Sequence, residues 1–265
     1  MEERQKGVVQ EEAATFQYTA VEKLLGYEFK DKKLVEEALT HESLFYPLMP
    51  EVSYHRLEFM GDAVLSCLVA LEVFKSYPSL DPGHLTRLRA ANVDKEKLAR
   101  IAVNHHLHLY LRHKTTRLPE QIEDFMKAMH EYPIHSNGLL DPPKVLANIV
   151  ESLLGAIFID SNSSLDAVWK VFKKLAEPLI SPETLGKHPM TELHELCQKL
   201  GKQVSIKKDG WAENGKVEVC IDGKLVGSAT YVHKKEIAKN RAAKVALDWL
   251  QGGKADINLH TSPED

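Results

Sequence analysis

Residues 55–74 read HRLEFMGDAVLSCLVALEVF, and from Leu57 to Phe74 the stretch is apolar on nearly every side of a helix. Such a helix is expected to be buried on most sides. Glu58 and Asp62 interrupt it. They stand four apart, which sets both carboxylates on one face. Gly61, between them, costs a helix interior about 1 kcal/mol relative to Ala, a cost tolerated where something must come close to the backbone.

A second stretch, KVLANIVESLLGAIFIDS at 144–161, shows the same anomaly. It is apolar from Val145 to Ile159 except at Asn148, Glu151 and Ser152, and Asn148 and Glu151, three apart, again share a face. Burying an ionised carboxylate without a partner costs several kcal/mol, and like charges on neighbouring turns add to that cost. Arg56 and Lys144 flank these helices, but neither apolar core contains a Lys or Arg. Oxygen ligands converging from two helices suit a hard divalent cation such as Mg²⁺, provided that the helices pack together. The competing reading pairs Glu58 with Arg56 or another surface base and turns Asp62 and Glu151 to solvent.

The rest of the 265 residues frames these two helices. The formal net charge is −4, so a nucleic-acid-binding surface has to be local. Cys67, Cys197 and Cys220 are too few and too scattered for a disulfide framework or paired zinc ligands, which suits a reducing compartment. The opening residues MEERQKGVVQEEAATFQ hold no apolar run, and Ala63 to Leu71 is too short to span a bilayer. The expectation is a soluble intracellular protein of the nucleus or cytoplasm, without a membrane partner.

From Tyr18 to about Ile180 apolar residues recur at helical spacing, broken at Pro47 to Pro50, Pro78 to Gly83 and Tyr132 to Pro143. Val21 to Leu25, Lys33 to Thr40 and Asp94 to Val103 read as shorter helices, the last with Asp94 as N-cap. SPETLGKHP at 181–189 has linker composition. Thr191 to Lys199 is again helical, the stretch from Val204 to Val232 alternates apolar and polar with Asn-Gly and Asp-Gly turns, and Lys235 to Leu250 is helical. A helix, three strands and a helix make an α+β module. The expected domains are an arm at 1–17, an all-α domain at 18–180, a linker at 181–189, the α-β-β-β-α module at 190–251 and a polar tail at 252–265.

HRLEFMGDAVL, preceded by EALTHES at 37–43 and followed by PKVLANIVESLLGAIFIDS at 143–161, closely resembles the ribonuclease III family, the last segment in its Dicer-type form. The likeness extends to plant ribonuclease-III-like proteins with one nuclease domain and one C-terminal double-stranded-RNA-binding domain. It implies an all-helical domain that homodimerises and cleaves duplex RNA with Mg²⁺, Mn²⁺ being possible, leaving 5′-phosphate and 3′-hydroxyl ends with two-nucleotide 3′ overhangs. Glu58, Asp62 and Glu151 match the family's metal-binding acids, Asp62 and Glu151 as the catalytic pair. Asn148 departs from the pattern, which has Asp there. An amide oxygen still ligates a cation but brings no charge. Lys144 resembles a lysine of the Dicer-type motif.

Residues 189–251 hold eleven Lys and Arg against eight acids, a local basic excess in an acidic chain. Lys234, Lys235 and Lys239 stand at the start of the last helix, where free backbone N–H groups reinforce a grip on phosphates. The resemblance implies further contacts from Thr191, Glu192 and Gln198. DGWAENGK, between the first two strands, lacks the Gly-Pro and His that the family often carries in that loop. His105, His106 and His108 cluster without a Cys or a downstream ligand set, and no phosphate-cradling Gly-rich loop, GxSxG or HExxH motif occurs. Two readings of function remain at this point: a metal-dependent endoribonuclease acting on duplex RNA, and a duplex-RNA-binding scaffold or regulator in which Asn148 marks lost chemistry.

Overall fold

A computed structural model describes residues 17–45 and 53–252. The expected arm and tail, apart from Gln17 and Gly252, lie outside the described residues, as does the break at Pro47 to Pro50. The chain divides into two compact units. One runs up to Ile122 and resumes over Pro142–Pro182; the other joins Glu123–Asp141 to everything from Glu183 onward.

The first unit is helical, as the period predicts: α1 (Tyr18–Leu25), α2 (Lys32–Ala38), α3 (His55–Ser76), α4 (Pro82–Val93), α5 (Lys95–Asn104), α7 (Lys144–Asp160) and α8 (Leu165–Ala176), with α6 (Leu118–Met129) crossing the division between units. Short polar side chains start several of them. Asp94 accepts from the Lys97 N–H, Asp81 from those of Gly83 and His84, and Ser164 from that of Ala167. Each cap satisfies an N–H that the helix leaves open. At the other end of α1, Gly26 takes the left-handed conformation (φ +72°) that closes a helix.

α7 is the centre of this unit, with Leu146, Ile149, Leu153, Leu154 and Ile157 all essentially excluded from solvent. Its most extensive pairing among the described residues is with α3. A Cβ at Gly61 would overlap the Glu151 carbonyl, and one at Gly155 would overlap the Leu57 carbonyl, so two reciprocal glycines let the backbones touch. That contact is the close approach that Gly61 predicts. Ser152, one of the polar interruptions, donates its hydroxyl to the Ala38 carbonyl at 2.6 Å and ties α7 to the end of α2.

One expectation is corrected. α3 is not buried on most sides: Phe59 is 77% and Phe74 69% exposed, and Ala63, Cys67 and Leu71 lie on the same open face. Hydropathy alone does not separate a core surface from one left open.

In the second unit, α9 (Pro189–Lys199), β1 (Val204–Lys207), β2 (Lys216–Ile221), β3 (Lys224–Thr230) and α11 (Lys235–Leu250) follow in the predicted order. The sheet is antiparallel, β1-β2-β3. Asp222 and Gly223, both at positive φ, make the tight β2–β3 turn. Val217, Val219 and Val226 of the sheet meet Ala238, Ala242, Ala246 and Leu247 of α11 and Leu193 and Cys197 of α9 in one core. DGWAENGK, read as a loop, holds one helical turn, α10 (Trp211–Asn214), closed by Gly215 at φ +72°.

Residues 136–141 belong to this unit although they precede α7. Ser136 Oγ accepts from the N–H groups of Leu139 and Leu140, both buried. Asn240 Nδ2 donates to the Gly138 carbonyl and Arg241 Nε to that of Leu139, each at 3.0 Å. Asp141 accepts from the Tyr231 hydroxyl at 3.3 Å.

Candidate active site

The glycine contact decides where the acids stand. Because Gly61 rests on the Glu151 carbonyl, the residues flanking it on α3, Glu58 and Asp62, are brought beside Glu151 of α7. Burial, then the Asp62 carboxylate, then that of Glu58 push the Glu151 carboxyl up to about 8, with Lys144 opposing. Asp62 itself is exposed. Glu58 is mostly covered, its side chain 16% exposed, and both its oxygens are engaged: Oε2 with His55 Nδ1 at 2.9 Å, Oε1 with Lys144 Nζ at 3.5 Å. The surface base paired with Glu58 is therefore Lys144, joined by His55. Arg56 instead acts on Glu37, where it opposes the upward push of burial.

Asn148 is 3% exposed. Its Nδ2 donates to the Tyr54 hydroxyl at 3.4 Å, while Oδ1 is buried without a hydrogen-bond partner. A buried carbonyl oxygen left unmatched costs about 1–3 kcal/mol, so such an atom calls for an explanation. The donor set fits a hard cation: three carboxylates and an amide oxygen with an unused lone pair. The cage is not closed, since among the described residues no three His, Cys, Asp or Glu side chains stand close enough together to hold a metal. The His105 to His108 cluster offers no comparable donor set, because ring nitrogens of His105 and His108 are used on backbone carbonyls. His105 Nε2 donates to the Leu175 carbonyl and His108 Nδ1 to that of Ala102.

The residues predicted to bind RNA lie in the second unit. Lys234, in extended backbone just before α11, stands 3.9 Å from Asp141. Lys235 lies over the Trp211 ring, 5.5 Å from its centroid, and Lys239 pairs with Glu236 at 2.8 Å. Thr191 and Glu192 occupy the first turn of α9, and Gln198 lies near its end. Thr191 and Gln198 are exposed, Glu192 partly so. His55 and Tyr54 were not singled out from sequence. The only available signal for His55 was its three-residue spacing from Glu58, and the Tyr54 contact spans 94 positions.

The family model described as the Ribonuclease III domain matches residues 55–162, which contain every acid of this site. A rice protein, Ribonuclease 3-like protein 3, is 66% identical over 232 residues, 88% of this chain and 78% of its own length. The chain belongs to the ribonuclease III family. The model for the double-stranded RNA binding motif matches residues 189–250, so this ribonuclease III-type endoribonuclease carries a duplex-RNA-binding module. Endoribonuclease Dicer homolog 1 of Arabidopsis thaliana is 46% identical over 88% of this chain, which spans only 12% of that protein. The nuclease domain of a Campylobacter jejuni ribonuclease III superposes with a TM-score of 0.46 at 29% identity, covering 60% of this chain and 96% of that one. No helix among the described residues is long and apolar enough to cross a membrane.

Proposed function

We propose that this ribonuclease III protein cleaves double-stranded RNA at a divalent-cation site made by Glu58, Asp62 and Glu151, with Asn148 as a weaker fourth ligand. The reading rests on the Glu151 carboxyl, half-buried and facing two further acids across the glycine contact. Mg²⁺ is the ion that the all-oxygen donor set suits best, with Mn²⁺ as an alternative. When bound, the cation would neutralise phosphoryl oxygens and acidify the attacking water. Asp62, open to solvent, is placed to meet the substrate side, and Glu151 is the carboxylate suited to take the water's proton. The water oxygen would then bond to phosphorus as the P–O3′ bond breaks, the departing 3′ oxygen taking a proton from solvent, so that the ends are a 5′-phosphate and a 3′-hydroxyl. Staggered cuts from two such sites would leave two-nucleotide 3′ overhangs.

Along the sequence the nuclease domain is taken as 18–180 and the RNA-binding domain as 190–251, although 123–141 groups with the second compact unit. A second copy of the chain is the occupant we assign to the open α3 face of Phe59, Ala63, Cys67, Leu71 and Phe74, and a nuclear or cytoplasmic location suits the free thiols. Lys234, Lys235 and Lys239 grip phosphates at the start of α11, with Thr191, Glu192 and Gln198 along the minor groove. Reversing charge at Lys235 and Lys239 is expected to weaken duplex binding and to lower the slope of log affinity against log salt by about 1 per lost phosphate contact. Filter binding across a salt series checks this, and an unchanged slope would remove both lysines from the interface.

Asn148 favours a second reading, a duplex-RNA-binding scaffold, because the amide lowers the charge available to a cation. Cleavage of long duplex RNA across Mg²⁺ and Mn²⁺ series separates the two. On the enzyme reading the native chain cuts, and Asn148→Asp lowers the metal demand by about tenfold. If only Asn148→Asp cuts, the native chain is a scaffold.

A further inference from the structure

The His55 ring spans two carboxylates that lie far apart in the sequence. Its Nδ1 meets Glu58 Oε2 at 2.9 Å, and its Nε2 lies 3.4 Å from Glu42 Oε2. A carboxylate only accepts, so a ring that bridges both acids must carry a donor at each nitrogen, Nδ1 toward Glu58 and Nε2 toward Glu42. Tyr54 stands edge-on to the ring on one side, centroids 4.7 Å apart, and is itself buried, which limits the ring's freedom. Glu42 comes from the short 3-10 turn Glu42–Leu44, which His41 caps through Nδ1. A capped turn, one imidazole and a first-turn acid of α3 thus form a chain that ends on Glu58.

We propose that His55 is a positioning residue for Glu58, and that Glu42 in turn holds His55. The inference rests on the reading of Glu58 as a cation ligand. Glu58 has three side-chain torsions, and of its two partners Lys144 is long and flexible, so without the His55 ring its carboxylate samples rotamers that point away from Glu151. Hydrogen bonds that orient metal ligands change affinity by about 10–100-fold when removed. Here the ring is 45% and Glu42 51% exposed on the side chain, which places the effect at the lower end.

The test is Mn²⁺ binding to the purified full chain by titration calorimetry, with metal-free melting temperature alongside. His55→Ala is expected to weaken binding about tenfold. Glu42→Gln should weaken it about threefold, and should add nothing in the His55→Ala background, because Glu42 acts only through the ring. His55→Asn, whose amide donates from nearly the same place as Nδ1, should recover most of the affinity. A merely structural role would lower the melting temperature of His55→Ala and leave the Mn²⁺ affinity alone. Unchanged affinity in His55→Ala, or additive losses in the double variant, overturns the proposal. Glu151→Gln serves as the control for the parent reading: if it binds Mn²⁺ like the native chain, the cation site fails; if it does not bind while His55→Ala matches native, only the positioning role fails.

Discussion

Gly61→Ala is expected to melt at a markedly lower temperature than the native chain, or not to fold. Alanine is the better helix former by about 1 kcal/mol, so on propensity alone the change should stabilise α3. Packing outweighs this. The new methyl would overlap the Glu151 carbonyl, which is backbone inside a helix and cannot swing aside as a side chain can. Overpacking a close-packed core costs about 1–3 kcal/mol where side chains can yield, and more where a helix must move as a body. A net loss of at least about 2 kcal/mol follows. Gly155→Ala meets the Leu57 carbonyl and should cost as much. The two together should cost less than their sum, because once the helices part the second methyl finds room. Thermal denaturation followed by circular dichroism measures all three, and a Gly61→Ala protein as stable as native would mean that the helices do not touch there.

Glu151→Gln is expected to remove cleavage and to raise the stability of the metal-free protein. Loss of a residue that transfers the reacting proton lowers rate by about 10²–10⁴-fold. The stability effect has a definite sign. The carboxyl is raised from 4.5 to about 8 by burial and by Asp62 and Glu58, so its ionisation opposes folding. That opposition is absent below pH 4.5, grows between pH 4.5 and 8, and is complete above 8. The glutamine variant should therefore match the native chain at pH 4.5 and exceed it at pH 7 by an amount on the order of 2 kcal/mol, allowing for partial solvent access. A cation bound at the site reverses the order, since it stabilises only the chain that still carries the carboxylate. Melting curves at three pH values, with and without Mg²⁺, test this. A constant difference at every pH would mean that Glu151 is not perturbed.

Much of this was legible because the decisive signals are local. Two apolar helices, one broken by acids at i,i+4 and the other by an amide and an acid at i,i+3, with a glycine between the first two, announce a tight helix pair with carboxylates at the crossing. The alternation around Asp222–Gly223 announces a hairpin in the same way. Three things were hidden for one common reason. Lys144 reaches Glu58 across 86 positions, Tyr54 reaches Asn148 across 94, and residues 138 and 139 bond to Asn240 and Arg241 across 102. Periodicity carries no information about partners that far away. The exposed face of α3 was hidden differently, because Phe59 and Phe74 have the same hydropathy whether they meet the chain's own core or a neighbour.

The stretch 123–141 gives the second unit an order of manufacture. Leu139 and Leu140 leave the ribosome before α7, yet the helix whose side chains bond their turn, α11, is made roughly a hundred residues later. At typical synthesis rates that interval is on the order of ten seconds, during which the Gly138 and Leu139 carbonyls wait for their donors. No single contiguous fragment holds the second unit without also carrying α7 and α8. A fragment beginning at residue 183 would lack Gly138, Leu139 and Asp141, and would leave Asn240, Arg241 and Tyr231 without the partners they hold in the full chain.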